Sequence, residues 1–263
     1  MKRLILAVLL SLVSAPAFAA WARVGTFLVG NSTSAATTLV VATSAALEAG
    51  NIGVCVVAKD ETGAGTTDGD NLQVIGVTDA SSNTWQRAVE FCNMQTSTAA
   101  NGACVDIWFV QPSVTIASAA NVTFTFLAST TSRAATCDEF TNTGVVGRAA
   151  GFAGIANDAA DPGSMTDATG IAREHLFIRA SACETNVTTY TADADYVAFG
   201  GSTTTSTANT GTAATSMGAR GESRIANEAT SAASDPTYAA VDCASAMAAL
   251  DINPPFGWWG IQW

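Results

Sequence analysis

Asn121-Val122-Thr123-Phe124-Thr125-Phe126-Leu127 decides the fold class. Apolar and hydroxylated side chains alternate strictly from Val122 to Phe126, the two-residue period of a strand with one buried face. Working outward, similar short runs rich in β-branched and aromatic residues occur at 25–29, 38–42, 52–58, 72–77, 85–91, 105–110 and 134–140. Clusters of Gly, Asn, Asp, Ser and Thr separate them. That spacing predicts an all-β fold, an antiparallel sandwich or barrel. The run Asp106-Ile107-Trp108-Phe109-Val110 is denser in apolar residues and reads as a strand covered on both sides. No convincing amphipathic helix is present. The Ala-rich stretch 239–250 is read as a final strand because of its β-branched and Cys content. The second half is looser: 144–170 is rich in Gly, Ala and Asp, while 176–180 and 196–199 read as strands. Residues 200–218 fit either a flexible loop or a Thr-rich edge strand.

The first nineteen residues give the compartment. Lys2 and Arg3 precede an apolar run over 4–13, and Ala17-Phe18-Ala19 supplies a small-x-small end, as in a secretory signal peptide. The apolar run is short for a permanent bilayer span, and no later segment offers one, so no transmembrane segment is expected. Residues 1–19 are therefore a leader. The mature chain is expected to begin at Ala20, with one β-sandwich domain over 20–252 and a separate tail over 253–263. The chain has 263 residues, 48% of them hydrophobic and 13% charged, which argues against disorder. Its formal charge is −11; losing Lys2 and Arg3 leaves 9 basic against 22 acidic side chains, or −13. Such a surface repels phosphate backbones and anionic membranes, so nucleic acid is not an expected partner.

All six cysteines lie beyond the leader: Cys55, Cys92, Cys104, Cys137, Cys183 and Cys243. An even count in an exported chain reads as three disulfides. No C-x2-C spacing occurs and His175 is the only histidine, which disfavours a Cys-based metal site. Cys92 and Cys104 end and start two strands joined by a polar loop, so a bridge there staples a hairpin.

The order of elements resembles a family of secreted bacterial and phage-associated β-sandwich surface modules, Ig-like or jelly-roll-like. The resemblance rests on the strand at 52–58, the turn Val77-Thr78-Asp79-Ala80-Ser81-Ser82-Asn83-Thr84-Trp85, and the strand Asp106-Ile107-Trp108-Phe109-Val110. It extends to the strand at 121–126, to Ala134-Ala135-Thr136-Cys137-Asp138-Glu139-Phe140, and to the later pieces 176–183 and 239–250. It covers roughly 25–252. It implies that the strands of Cys55 and Cys137 are neighbours, hence a Cys55–Cys137 bridge. Cys183 ends a late strand and Cys243 lies in the last one, and a Cys183–Cys243 bridge is expected between them. The resemblance implies surface, adhesive or virion roles rather than an activity. The cysteines and the aromatic tail depart from the family pattern.

Asp79 and Asn83 suit a tight turn, because their side chains bond the local backbone. Trp85 then covers one end of the core. Nucleophile elbows, phosphate-binding loops and His-Glu zinc motifs are missing from the sequence. His175, in Arg173-Glu174-His175-Leu176, is read as a solvated side chain rather than a general base. Acidic loops are the better candidates for chemistry: Asp60-Glu61, Asp68-Gly69-Asp70-Asn71, and Asp158, Asp161 and Asp167. Asp60, Asp68 and Asp70 could contribute oxygens to a calcium ion; solvated loops are the plainer reading, and no cofactor is required. Carboxylates in these loops also keep a secreted hydrolase as a third reading. The tail Phe256-Gly257-Trp258-Trp259-Gly260-Ile261-Gln262-Trp263 carries a heavy apolar load for a terminus. Phe256, Trp258, Trp259 and Trp263 could fold back over the sandwich, dock on another copy or another surface protein, or stack on glycans. Asn31, Asn121 and Asn186 begin glycosylation sequons, as chance provides in a Thr-rich chain.

These features together predict a non-enzymatic structural or adhesive protein, secreted to the extracellular space or cell surface, with the periplasm as the other compartment. It is expected to self-assemble or dock through its tail. A carbohydrate-binding module using Trp85, Trp108 or the tail, and a virion surface protein, are the alternatives. Mass spectrometry of the exported protein should find Ala20 as the first residue.

Overall fold

The computed structural model describes residues 21–60, 68–94, 102–142, 144–157, 162–185, 190–200, 206–212, 215–238 and 242–253. Residues 1–20 and 254–263 lie outside them. The described chain forms antiparallel strands in three sheets. A five-stranded sheet contains β1 (Ala22–Ser32), β8 (Arg133–Thr141), β3 (Ile52–Asp60), β6 (Gly102–Val110) and β5 (Gln86–Met94), in that order across the sheet. A three-stranded sheet places β7 (Asn121–Thr130) between β2 (Ala36–Ala42) and β4 (Val74–Asp79). The third sheet runs β11 (Val197–Ala198), β13 (Met217–Ser234), β10 (Met165–Glu184), β14 (Asp242–Asn253), β9 (Val145–Asn157), with β12 (Ser206–Ala208) also pairing β13.

The five-stranded sheet is the middle layer of a sandwich. One face packs Cys55, Val57, Trp108 and Val110 against Leu39, Val122, Phe124 and Phe126 of the three-stranded sheet. The other packs Val54, Val56, Ile107 and Phe109 against Leu176, Ile178, Ala246 and Leu250 of the third sheet. Burial on both faces explains why every residue of β3 and β6 is buried. In β7, Val122 and Phe124 are wholly buried while Thr123 and Thr125 are half-buried, as the alternation requires. The partner faces of β10 and β14 are lined by Ala180, Ala182, Ala244, Ala246 and Ala248, small residues that let the two larger sheets approach closely. At the side of the sandwich a Cβ on Gly154 of β9 would sit 2.1 Å from Phe91 Cδ2 of β5.

The antiparallel sandwich agrees with the sequence reading. The looser half is more regular than its composition suggests. Residues 144–170 contain β9 and the start of β10, and 206–208 form a short edge strand. The long strand β13 has no apolar run to announce it. Its inward positions are Met217, Ala219 and Gly221, and its outward ones include Arg220 and Glu222.

Three disulfides join Cys55 to Cys137, Cys92 to Cys104, and Cys183 to Cys243. Each links residues directly opposed on neighbouring antiparallel strands, with Cα atoms 4.0–4.2 Å apart. Each therefore staples strands within a sheet, and none ties one sheet to another. The closed loops span 82, 12 and 60 residues respectively. Chain entropy then predicts that replacing both cysteines by alanine costs about 4.5 kcal/mol for Cys55–Cys137 and about 3 kcal/mol for Cys92–Cys104. Denaturant melts of the two double variants should reproduce that order.

Candidate functional site

A cluster of buried acids closes one end of the slot between the two larger sheets. Inward-facing positions on β3, β10 and β14 end in Asp60, Glu184 and Asp242, each no more than 1% exposed. Glu184 and Asp242 are direct cross-strand partners, so two acids face each other where like charges are unfavourable. Asn93 of β5 donates its amide to Asp242 Oδ1 at 2.5 Å and to the Cys243 carbonyl at 3.3 Å. The Gly102 N–H donates to Glu184 Oε1 at 3.2 Å, while Glu184 Oε2 has no hydrogen-bond partner. Burial raises the Glu184 pKa to about 8; the Gly102 N–H opposes the shift, and the charges of Asp60 and Asp242 add to it. Glu184 is therefore a neutral acid at neutral pH.

A second feature is an open cleft of about 400 Å³ where the edge strands β5 and β9 meet. Asp70, Arg87, Glu90, Phe91, Arg148 and Gly154 line it. Arg87 forms a two-pronged pair with Asp70, at 2.9 and 3.2 Å, and reaches Glu90 at 3.4 Å. Glu90 accepts the backbone N–H groups of Asn71, Gln73 and Val74 at 2.8–3.1 Å. It thereby holds the loop in which Leu72 adopts a left-handed φ of 54°. Behind it, Asp106 is directly opposite Glu90 and wholly buried. Desolvation first, and the Glu90 charge second, hold its pKa well above the usual carboxylate range. Arg148 donates to the Ala88 carbonyl at 2.6 Å and so caps the edge of β5.

His175 lies in a hydroxyl–imidazole–carboxylate line but cannot act as a base on Thr169. Its Nε2 is 2.9 Å from the Ile171 carbonyl, which only accepts, so that nitrogen carries the proton. The Thr169 hydroxyl, 3.0 Å from the same nitrogen, meets an N–H rather than a lone pair. Nδ1 stands 4.0 Å from Asp251, too far for a hydrogen bond. The histidine is wholly buried, not solvated as its sequence neighbours suggest. Burial raises the Asp167 pKa to about 6. On the outer face of the third sheet, Glu222 accepts from the hydroxyls of Tyr190 (2.8 Å) and Ser234. There Arg179 donates to the Pro162 and Gly163 carbonyls at 2.9 and 2.8 Å, and Arg220 lies 4.4 Å from the Tyr238 ring centroid.

The structure does not gather Asp60, Asp68 and Asp70 around one point. Asp60 closes the slot, Asp68 accepts the Met94 N–H at 2.9 Å, and Asp70 is turned to Arg87. Among the described residues no three His, Cys, Asp or Glu side chains form a metal-binding group. Asp79 caps its turn as read: Oδ1 accepts the Ser81 N–H at 2.7 Å, and Oδ2 accepts Trp85 Nε1 at 2.7 Å. Trp85 and Trp108 are each 8% exposed and offer no stacking face. Phe256, Trp258, Trp259 and Trp263 of the tail, and Glu61, Asp158 and Asp161, lie outside the described residues.

The acids of the slot carry a sequence signal that the reading missed. Once Cys183 pairs with Cys243 in antiparallel strands, Glu184 must face Asp242. No protein-family model matches the chain, and neither a curated protein nor a solved structure matches it.

The slot gives stability a definite pH dependence. Folded Glu184 keeps its proton to about pH 8, whereas the unfolded carboxyl loses it near 4.5. Its favourable contribution is thus complete below the unfolded pKa and lost as pH rises through about 8. Asp167 acts with the same sign but only up to about pH 6. Urea melts between pH 6 and 9 should show stability falling for the native sequence. Glu184→Gln should flatten that slope and leave the variant the more stable of the two above pH 8.

Proposed function

We propose that this chain is a secreted, disulfide-stapled structural or adhesive surface protein rather than an enzyme. The observation that carries this reading is where the fold puts its ionisable side chains. Lys59, Arg133, Asp138, His175, Arg220 and Glu222 are all no more than 2% exposed and act as internal braces. Lys59 Nζ donates to Gln73 Oε1 at 2.5 Å. Arg133 ties β8 to the carbonyls of Ala36, Ser34 and Thr130 around the three-stranded sheet. Asp138 receives Arg23 at 2.5 Å and Thr26 at 2.6 Å. Buried, bonded charges make a fold rigid and specific at a cost in desolvation. Groups used this way are out of a substrate's reach. The three disulfides fit an oxidising compartment, which supports a protein working outside the cytoplasm. The aromatic tail is the contact for self-association or for another surface protein.

A second reading, a saccharide-binding module, is favoured by the cleft, where the half-exposed Arg87–Asp70 pair stands beside Phe91 and could bond neighbouring hydroxyls. A glycan array, run with and without calcium, should give hits that Arg87→Ala abolishes if this reading holds.

The assembly reading is tested on the oxidised mature protein by light scattering and negative-stain imaging, with and without residues 254–263. Defined oligomers or filaments that vanish on truncation are expected. A single-chain mass in both forms would remove the assembly reading.

A further inference from the structure

Sheet edges are where a β protein joins other chains, and most edges of this fold are blunted. Strand β1 is bulged at two places. Both β2 and β4 carry a register shift. The edge of β5 is bulged, capped at Ala88 by Arg148, and bridged at Cys92 by Gly69. At the far side of the third sheet, β11 and β12 span 2 and 3 residues. Strands β1 and β2 keep unbroken runs of five residues, 28–32 and 38–42, and the longest uncharged run left open is on β9. Its register against β14 shifts between Arg148 and Phe152, and after that bulge residues 152–157 pair without interruption with 243–248. The sequence there is Phe152-Ala153-Gly154-Ile155-Ala156-Asn157, with no charge and no proline. The one charged residue of β9, Arg148, precedes that run and, though exposed, donates to the Ala88 carbonyl of β5. Among the described residues no strand pairs with the outer edge of β9.

We propose that the outer edge of residues 152–157 is the docking strand for the aromatic segment 256–263 of a second copy of this chain. This rests on the assembly reading above and names the acceptor it lacks. The donor fits in length and chemistry. Eight extended residues span about 26 Å against about 20 Å for the six-residue edge. The segment carries no charge, four of its residues are aromatic, and Ile261 is β-branched, all suited to strand addition. Pro254 and Pro255 lack N–H groups and cannot donate to a ladder. Chain geometry selects a second copy. Strand β14 ends at Asn253, opposite Val145. The straight edge begins at Phe152, opposite Ala248, about 17 Å back along the sheet. The two prolines cover only about 6 Å. An uncharged strand on an uncharged edge also joins strongly acidic bodies at a point where neither presents its charge. A donor and an acceptor at different places on each chain make a head-to-tail contact, which propagates into rings or filaments.

Complementation tests this with full-length mature chains. One variant disables the donor (Trp258→Asp with Trp259→Asp); the other disables the acceptor (Ile155→Lys). Circular dichroism verifies that each is folded, and Ala156→Lys replaces Ile155→Lys if the latter is not. Light scattering should give a single-chain mass for each variant alone, a loss of assembly from the unsubstituted protein. An equimolar mixture should double that mass and go no further, because one intact donor meets one intact acceptor. An acceptor variant that still assembles like the unsubstituted protein, or a mixture that stays at single-chain mass, overturns the docking strand and leaves tail-driven assembly standing. A single-chain mass for the unsubstituted protein itself removes the assembly reading and the docking strand together.

Discussion

Burial of the middle sheet on both faces is the constraint on which the rest of the structure depends. A strand in that position has no solvent side on which to place polar groups. Strands β3, β6 and β8 therefore carry apolar residues on both faces, and each polar one needs an internal answer. Asp138 answers to Arg23 and Thr26, and Lys59 to Gln73. Asp106 has no such partner, and burial, with the Glu90 charge second, holds its pKa well above the usual carboxylate range. The outer sheets follow from the same constraint. The small sheet needs one apolar face and shows Val122, Phe124 and Phe126 inward with threonines outward. The third sheet meets the middle one through alanines, which brings the layers close enough for a backbone glycine to rest on Phe91.

The way the slot ends follows from the same geometry. Two closely packed sheets leave a narrow opening at each end, and apolar residues there would meet water. At one end the chain places Asp60, Asn93, Glu184 and Asp242 instead. Glu184 Oε2 finds no hydrogen-bond partner at that depth, and the proton that burial keeps on this carboxyl settles much of the conflict. Electrostatics that are unfavourable for isolated side chains thus become a feature of how the two sheets close.

How much of this was legible in the sequence varied with the residues at the inward positions. Where they are large and apolar, as in residues 121–127 and 105–110, period and density identified the strands and even the two-sided burial of β6. The turn at Asp79 was readable because Asp and Asn have few other reasons to sit four residues apart before a tryptophan. Strands β9 and β13 were obscure because close sheet packing selects Gly and Ala, whose hydrophobic signal is weak. The buried arginines and acids of β10 and β13 inverted the usual pattern, since charge there marks the inside. His175 misled for the same reason, its charged neighbours Arg173 and Glu174 suggesting solvent. The acids Asp60, Asp68 and Asp70 looked like one loop cluster, but strand geometry sends them in three directions.

The placement of the disulfides has a mechanical consequence. Because each bridge joins neighbouring strands of one sheet, the three layers can peel apart without breaking a covalent bond. Tension applied between Trp21 and Asn253 would nevertheless not pull the chain out to its full contour. The loops closed by Cys55–Cys137 and Cys183–Cys243 span 82 and 60 residues, with the Cys92–Cys104 loop nested in the first. Together they lock more than half of the chain between those two residues, hiding about 280 Å and about 200 Å of extended length. A protein bearing load in such a position would yield by a short, fixed extension and then stiffen. That response is a strain limiter, and it depends on the oxidation state of four sulfur atoms rather than on the strength of any sheet.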